Sequence, residues 1–173
     1  MGYIHIYCGD GKGKTSAALG LAVRAAGRGK KVLIVRFLKN ENSGEVPALR
    51  KIPGITVTPC DREFGFVFRM NEEKRAEAAS YYRQMFEQAC REAEEGEYDI
   101  LILDEIMAAC NYEMVPEADL TAFLKDRPPR LEVVLTGREP SGRLLDLADY
   151  VSEIRMRKHP FERGIPAREG IEY

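Results

Sequence analysis

Histidine is scarce in this chain of 173 residues: only His5 and His159 are present, too few to build a metal site alone. The four cysteines, Cys8, Cys60, Cys90 and Cys110, never form a C-x-x-C pair, which argues against a zinc knuckle or a redox couple. They read as reduced thiols packed as small hydrophobes. A basic excess is also missing, with 26 Lys and Arg against 28 Asp and Glu, so the electrostatic footprint of a nucleic-acid binder is absent. No apolar run approaches a membrane span, and the N-terminus lacks the layout of a signal peptide. The expectation is a cytoplasmic protein with neither nucleic acid nor membrane as partner.

What is present is enough for one ordinary domain, residues 1–173, with 45% apolar residues to fill a core. Short continuous apolar runs alternate with amphipathic stretches, the pattern of buried parallel strands crossed by helices. Strands are expected at 3–7, 32–37, 55–58, 100–103, 131–136 and 151–155. Helices are expected at 15–27, at 72–95 behind an Asn71 cap, at 116–126 and at 142–148 behind a Ser141 cap. The segment 39–70 reads as irregular, and the last fifteen residues as an ordered tail. No repeat, low-complexity stretch or linker divides the chain.

The first strand runs into Cys8-Gly9-Asp10-Gly11-Lys12-Gly13-Lys14-Thr15-Ser16, and a helix follows. Strand, glycine loop and helix make a P-loop, in which backbone N–H groups turn inward around phosphate and the helix N-terminus adds partial positive charge. Cys8 takes the place of the first glycine of G-x-x-x-x-G-K-[ST], while Gly9, Gly11 and Gly13 restore flexibility and Lys12 adds a second cation. Lys14 would reach the terminal phosphates, and the Thr15 hydroxyl a Mg2+ ion. The apolar run 100–103 ends in Asp104-Glu105, a Walker B element whose carboxylates would hold that metal. Arg138 follows the strand at 131–136 at the sheet edge where α/β proteins bind ligands. It reads equally as a phosphate contact and as a solvated arginine. Phe64, Phe66 and Phe68 alternate and would share one face of an extended segment, either as an aromatic wall for a flat ligand or as a strand edge packed on the core. Arg155, Arg157, Lys158, Arg163 and Arg168 make the C-terminal stretch basic, a pattern that is usually a solvated face.

These strings together resemble the P-loop ATP:corrinoid adenosyltransferases, the cob(I)yrinic acid a,c-diamide adenosyltransferase family. The resemblance rests on Gly9-Asp10-Gly11-Lys12-Gly13-Lys14-Thr15, Phe37-Leu38-Lys39 with Gly44-Glu45, Gly65-Phe66-Val67-Phe68, and Leu103-Asp104-Glu105. It continues through Arg127-Pro128, Val133 to Arg138 and Ala148-Asp149. Lys158-His159-Pro160-Phe161, Gly164-Ile165 and Gly170-Ile171-Glu172-Tyr173 close the chain and are its most specific part.

The resemblance implies a RecA-like P-loop NTPase fold, a mostly parallel sheet with helices on both faces. It implies transfer of the 5′-deoxyadenosyl group of ATP to the Co(I) centre of a corrinoid, with triphosphate leaving whole, in adenosylcobalamin biosynthesis or salvage. An external flavoprotein-type reductant would supply Co(I), and the enzyme would be a homodimer. ATP would lie in reverse sense, its γ-phosphate deep in the loop. Lys12, Lys14 and Glu105 would carry catalysis; Gly9, Asp10, Gly11, Lys12, Gly13, Lys14, Thr15, Ser16 and Arg138 would bind ATP; Thr15, Asp104 and Glu105 would hold Mg2+. Phe66 and Phe68 would close the lower corrin face and displace the axial ligand.

Phe68 stands where the family typically has tryptophan, a residue this chain lacks, and it keeps the apolar bulk. The sequence opens two residues before its first strand, so the N-terminal extension of many members is expected to be absent. Pro166-Ala167-Arg168 and Ile106-Met107-Ala108-Ala109 also depart from the usual strings. Two rival readings use the same motifs: an ATPase or kinase with Glu105 positioning water, and a non-catalytic, nucleotide-dependent corrinoid-binding protein.

Overall fold

Six short apolar runs become strands in the computed structural model, which describes residues 1–65 and 67–172. They are β1 (Ile4–Cys8), β2 (Val32–Arg36), β3 (Ile55–Val57), β4 (Ile100–Asp104), β5 (Glu132–Thr136) and β6 (Tyr150–Glu153). One sheet holds them in the order β3-β2-β4-β5-β1-β6. Every pairing is parallel, so the sheet is more uniform than the mostly parallel one expected. Parallel neighbours need crossovers, and six helices take part in them: α1 (Lys14–Ala26), α2 (Glu45–Leu49), α3 (Glu72–Glu95), α4 (Ile106–Asn111), α5 (Glu117–Asp126) and α6 (Gly142–Leu147).

The central strands explain the continuous apolar runs. All five residues of β2 and of β4 are buried, because helices cover both faces. Val32, Ile34, Ile100 and Ile102 point to the side covered by α1 and α2. Leu33, Val35, Leu101 and Leu103 point to the side covered by α3, α4, α5 and α6. Ala18 and Ala22 are fully buried, so α1 lies close on the sheet. A larger side chain at either position would overpack that contact, at about 1–3 kcal/mol.

The helix ends follow local chemistry. Asn71 caps α3 by accepting from the Lys74 N–H at 2.9 Å, and Glu72 and Glu73 put negative charge on its first turn. Ser141 caps α6 through the Leu144 N–H. Two short helices lie in stretches not read as helical. In α2, Pro47 sits in the first turn, where its missing N–H costs nothing. In α4, six residues follow directly on the Asp104-Glu105 pair.

Phe64 and Phe68 do not share the face that an extended segment would give them. Phe64 is buried against Tyr81 and Tyr82, while Phe68 is 74% exposed on a 3-10 turn, Val67–Arg69. A tight turn breaks the two-residue alternation that an extended segment would impose. Phe66, like Tyr173, lies outside the described residues. Strand β6 is exposed along its length, yet its parallel pairing with β1 brings residues 154–156 beside the glycine loop.

Candidate active site

The loop after β1 is shaped by contacts that its glycines alone permit. Gly9 adopts φ 105°, and a Cβ there would stand 2.4 Å from the Ile154 carbonyl oxygen. The Gly11 N–H donates to that same oxygen at 2.8 Å. The Asp10 carboxylate accepts from the Met156 N–H at 2.9 Å, which holds it below the usual carboxylate range. Gly9, Asp10 and Gly11 therefore fasten the loop to the chain leaving β6. The second half of the loop, Lys12 to Ser16, lines the large cavity described below.

Lys14 begins α1 and is buried, its ammonium donating to the Gly11 carbonyl at 2.9 Å. Burial pulls its pKa below the ordinary lysine value, and the Glu105 charge opposes that shift. Lys12 reaches the other way: its ammonium donates to the Ile171 carbonyl at 2.8 Å and to Glu172 Oε1 at 3.0 Å. Arg168, the Arg168 N–H and Lys12 together hold the Glu172 carboxyl at a pKa of about 2. The tail thus folds back across some 160 residues of sequence to meet the loop.

Strand β4 ends two strands away from β1, with β5 between, and brings Asp104 to the foot of α1. Asp104 is fully buried. Its Oδ1 accepts from the Thr15 hydroxyl at 2.9 Å and from the Thr136 hydroxyl at 2.6 Å. Its Oδ2 accepts from the Lys39 ammonium, which also donates to Thr15 Oγ1 at 3.0 Å. Thr136 in turn accepts from the Glu105 N–H at 2.9 Å. Glu105 has φ 60°, a left-handed conformation that turns the chain from β4 into α4. Burial, followed by the neighbouring Asp104 charge, raises the Glu105 pKa above the ordinary value.

The donor set fits Mg2+. A threonine hydroxyl and two carboxylates are hard oxygen ligands, too few for an all-protein cage but suited to a metal that also keeps phosphate and water. A cation already sits between Thr15 and Asp104, the Lys39 ammonium. Among the described residues no group of three or more His, Cys, Asp and Glu side chains could hold a metal unaided.

A cavity of about 750 Å³ joins these parts. Its walls are Lys12 to Ser16, Leu38 to Asn40, Phe64, Gly65, Tyr82, Glu105 and residues 170–172. Such a volume lies in the ordinary range for small-molecule sites. Arg138 stands apart from it. It lines a second cavity of about 440 Å³, beside Gly9, Asp10, Glu153 and Arg157. Its charge still acts on Lys14 and Glu105 from that side. Phe68 carries the Arg69 guanidinium 5.6 Å from its ring centroid. The four thiols are free, and burial pushes Cys90 and Cys110 up to about 12, as packed small hydrophobes should behave.

Three contributors went unassigned in the sequence. Lys39 follows β2 at the same sheet edge that drew attention to Arg138, so its position was the available signal. Thr136 and Glu172 lie in strings of the family resemblance, but nothing local points to their contacts, because their partners lie 32 and 160 residues away.

The fold alone is shared with the cytoplasmic domain of EssC, which aligns with a TM-score of 0.56 and 18% identity over 96% of this chain and 34% of that one. Closer relatives are found by sequence. The corrinoid adenosyltransferase of Escherichia coli (strain K12) is 35% identical over 176 residues, covering 99% of this chain and 86% of that protein. Corrinoid adenosyltransferase CobA of Salmonella typhimurium (strain LT2) is 33% identical over 172 residues, with the same two shares of 99% and 86%. Residues 1–173 match the family described as ATP:corrinoid adenosyltransferase BtuR/CobO/CobP, and the chain belongs to that family.

Proposed function

We propose that the cavity beside the glycine loop is where this ATP:corrinoid adenosyltransferase holds ATP, with the triphosphate on residues 12–16 and the ribose toward the aromatic segment at 64–68. One observation carries this reading: the loop, Glu105 and the start of the aromatic segment border a single cavity, so phosphate and an apolar flat ligand can meet there. The enzyme transfers the 5′-deoxyadenosyl group of ATP to a corrinoid. In this transfer Co(I) of the corrinoid substrate supplies an electron pair to C5′, a Co–C bond forms, and the C5′–O bond breaks. The bonding electrons leave with triphosphate, and cobalt ends formally as Co(III). The protein supplies no nucleophile or base.

Its work is to place C5′ in line with cobalt and to take up the charge of the leaving group. Lys14, buried at the helix start, and Lys12, at the loop's rim, face the cavity for that purpose. The backbone N–H groups at the start of α1 add to them. Thr15, Asp104 and Glu105 would hold Mg2+, which supplies charge neutralisation on the polyphosphate. Gly9, Asp10 and Gly11 keep the loop in shape through Ile154 and Met156, and Arg138 adds positive charge from the β5 side. Phe66 and Phe68 are assigned to the corrin face; the exposed Phe68 ring is an apolar platform suited to a flat ligand. The family resemblance supports a cytoplasmic homodimer of single-domain chains, served by an external flavoprotein-type one-electron reductant.

Lys14→Ala tests the phosphate role. Removing a preorganised cation from the departing charge should lower turnover by on the order of 10²–10³-fold, read as formation of light-sensitive alkylcobalt product from chemically reduced corrinoid. Wild-type turnover in that variant would refute the assignment.

A further inference from the structure

We propose that Lys39 is a displaceable counter-ion of the magnesium position: its ammonium and the metal compete for the oxygens of Thr15 and Asp104. This inference rests on the assignment of those residues to the metal. The ammonium donates to Thr15 Oγ1 at 3.0 Å and to Asp104 Oδ2. Asp104 Oδ1 is already engaged by the Thr15 and Thr136 hydroxyls. Oδ2 is therefore the oxygen that a metal would take, and Lys39 holds it. Magnesium demands oxygens at about 2.0–2.1 Å, so it cannot share that position with an ammonium in contact with both residues.

The backbone around Lys39 is fixed. Leu38 has φ 55°, a left-handed conformation that a branched side chain rarely adopts. Such an outlier persists only where its surroundings over-determine it, and they do. The Phe37 N–H donates to the Asp104 carbonyl at 2.9 Å. On the other side of Lys39, the fully buried Arg36 donates to the Asn40 carbonyl at 2.8 Å and to Glu41 Oε1 at 2.9 Å. Glu41 also accepts from the Cys60 N–H at 2.7 Å and from Arg50 at 2.7 Å. The side chain is less confined than its backbone. It is 23% exposed and lines the cavity with Lys12 and Lys14. An ion pair serving only structure would have no need to face the ligand cavity. Here rotation about side-chain bonds carries the ammonium from Asp104 toward a polyphosphate without moving the loop.

The consequence is coupling. Metal alone must evict the ammonium from its carboxylate, whereas metal arriving with ATP gives the ammonium a new anionic partner. Metal and nucleotide should then bind cooperatively, and the cooperativity should depend on Lys39.

Mn2+ serves as the probe, followed by its paramagnetic resonance signal, with no corrinoid present. The wild type should bind Mn2+ weakly without nucleotide and much more tightly with ATP. Lys39→Met should bind Mn2+ alone at least about tenfold more tightly than wild type, the low end of what one contacting charge does to a neighbouring ionic equilibrium. Its ratio of affinities with and without ATP should shrink. Equal Mn2+ affinity in the two proteins would overturn the proposal. If Lys39→Met is unfolded, refolding in Mg2+ but not in Na+ of equal ionic strength supports it, and failure of Mg2+ to restore the fold overturns it. Asp104→Asn separates the two levels of the argument. If that change leaves Mn2+ binding with ATP intact, the metal assignment itself fails. If it weakens that binding while Lys39→Met leaves metal-alone binding unchanged, only the exchange fails.

Discussion

Thr136→Val is the sharpest single-atom perturbation of the acidic pair. Thr136 is fully buried and nearly isosteric with valine, so the change removes a hydroxyl and leaves the packing. That hydroxyl donates to Asp104 Oδ1 at 2.6 Å and accepts from the Glu105 N–H at 2.9 Å. Losing the first bond removes a contact to a charged group, worth about 1.5–3 kcal/mol, and losing the second strands a donor beside an apolar methyl, at about 1–3 kcal/mol. The two share one atom and are not independent, so the expected loss is about 2–4 kcal/mol. For a chain of this size that is a fall in Tm of about 5–15 °C, measured by circular dichroism. Thr136→Ser retains the hydroxyl and should recover most of the loss. A second readout is affinity for ATP with Mg2+, which should weaken in the valine variant because the Asp104 carboxylate and the Glu105 backbone lose their common anchor. A fall of less than 2 °C with unchanged affinity would refute the relay from Thr136 to Asp104 and Glu105.

Two further outcomes follow from the same geometry. Burial raises the Glu105 pKa, so the folded chain holds that proton more tightly than the unfolded chain. This group's contribution therefore improves as pH falls from neutral through the raised pKa toward 4.5, and its penalty is full above that window. Glu105→Gln should flatten that segment of the stability–pH curve and be no less stable than wild type at pH 7, while binding ATP with Mg2+ more weakly; an unchanged curve would contradict the burial argument. Glu172→Ala should free Lys12 from a carboxylate that competes with phosphate. ATP affinity should then rise by up to about fivefold, the scale of an exposed ion pair, in a fluorescence titration, and a weaker affinity would mean that the tail contributes to the site instead.

Sequence periodicity located most of the frame, and the reasons differ by element. The runs at 32–37 and 100–103 were legible because strands buried on both faces are built mainly from apolar residues, the buried charges Arg36 and Asp104 coming only at the strand ends. Helix α3 was legible from its cap, its acidic first turn and Gly96, all local signals. Helices α2 and α4 were not, since five or six residues are too few to display a helical period. The loop and the Asp104-Glu105 pair could be read because P-loop chemistry fixes residue types at fixed spacing. The engagement of Lys39 with Asp104, of Thr136 with the Asp104 carboxylate and the Glu105 N–H, and of Glu172 with Lys12 could not, because each depends on where the sheet order brings distant segments. The separation of Phe64 from Phe68 was hidden for a related reason: alternation implies a common face only if the backbone is extended, and a 3-10 turn at 67–69 leaves Phe68 exposed while Phe64 is buried.

At the heart of the proposed function, the protein takes up the charge of a triphosphate that departs in one piece from a carbon captured by cobalt. Phosphorus NMR of a reaction containing protein, ATP, Mg2+ and a corrinoid reduced to Co(I) tests it directly. Inorganic triphosphate should accumulate mole for mole with light-sensitive alkylcobalt product. ADP and orthophosphate as the sole phosphorus products, with no Co–C bond formed, would contradict it.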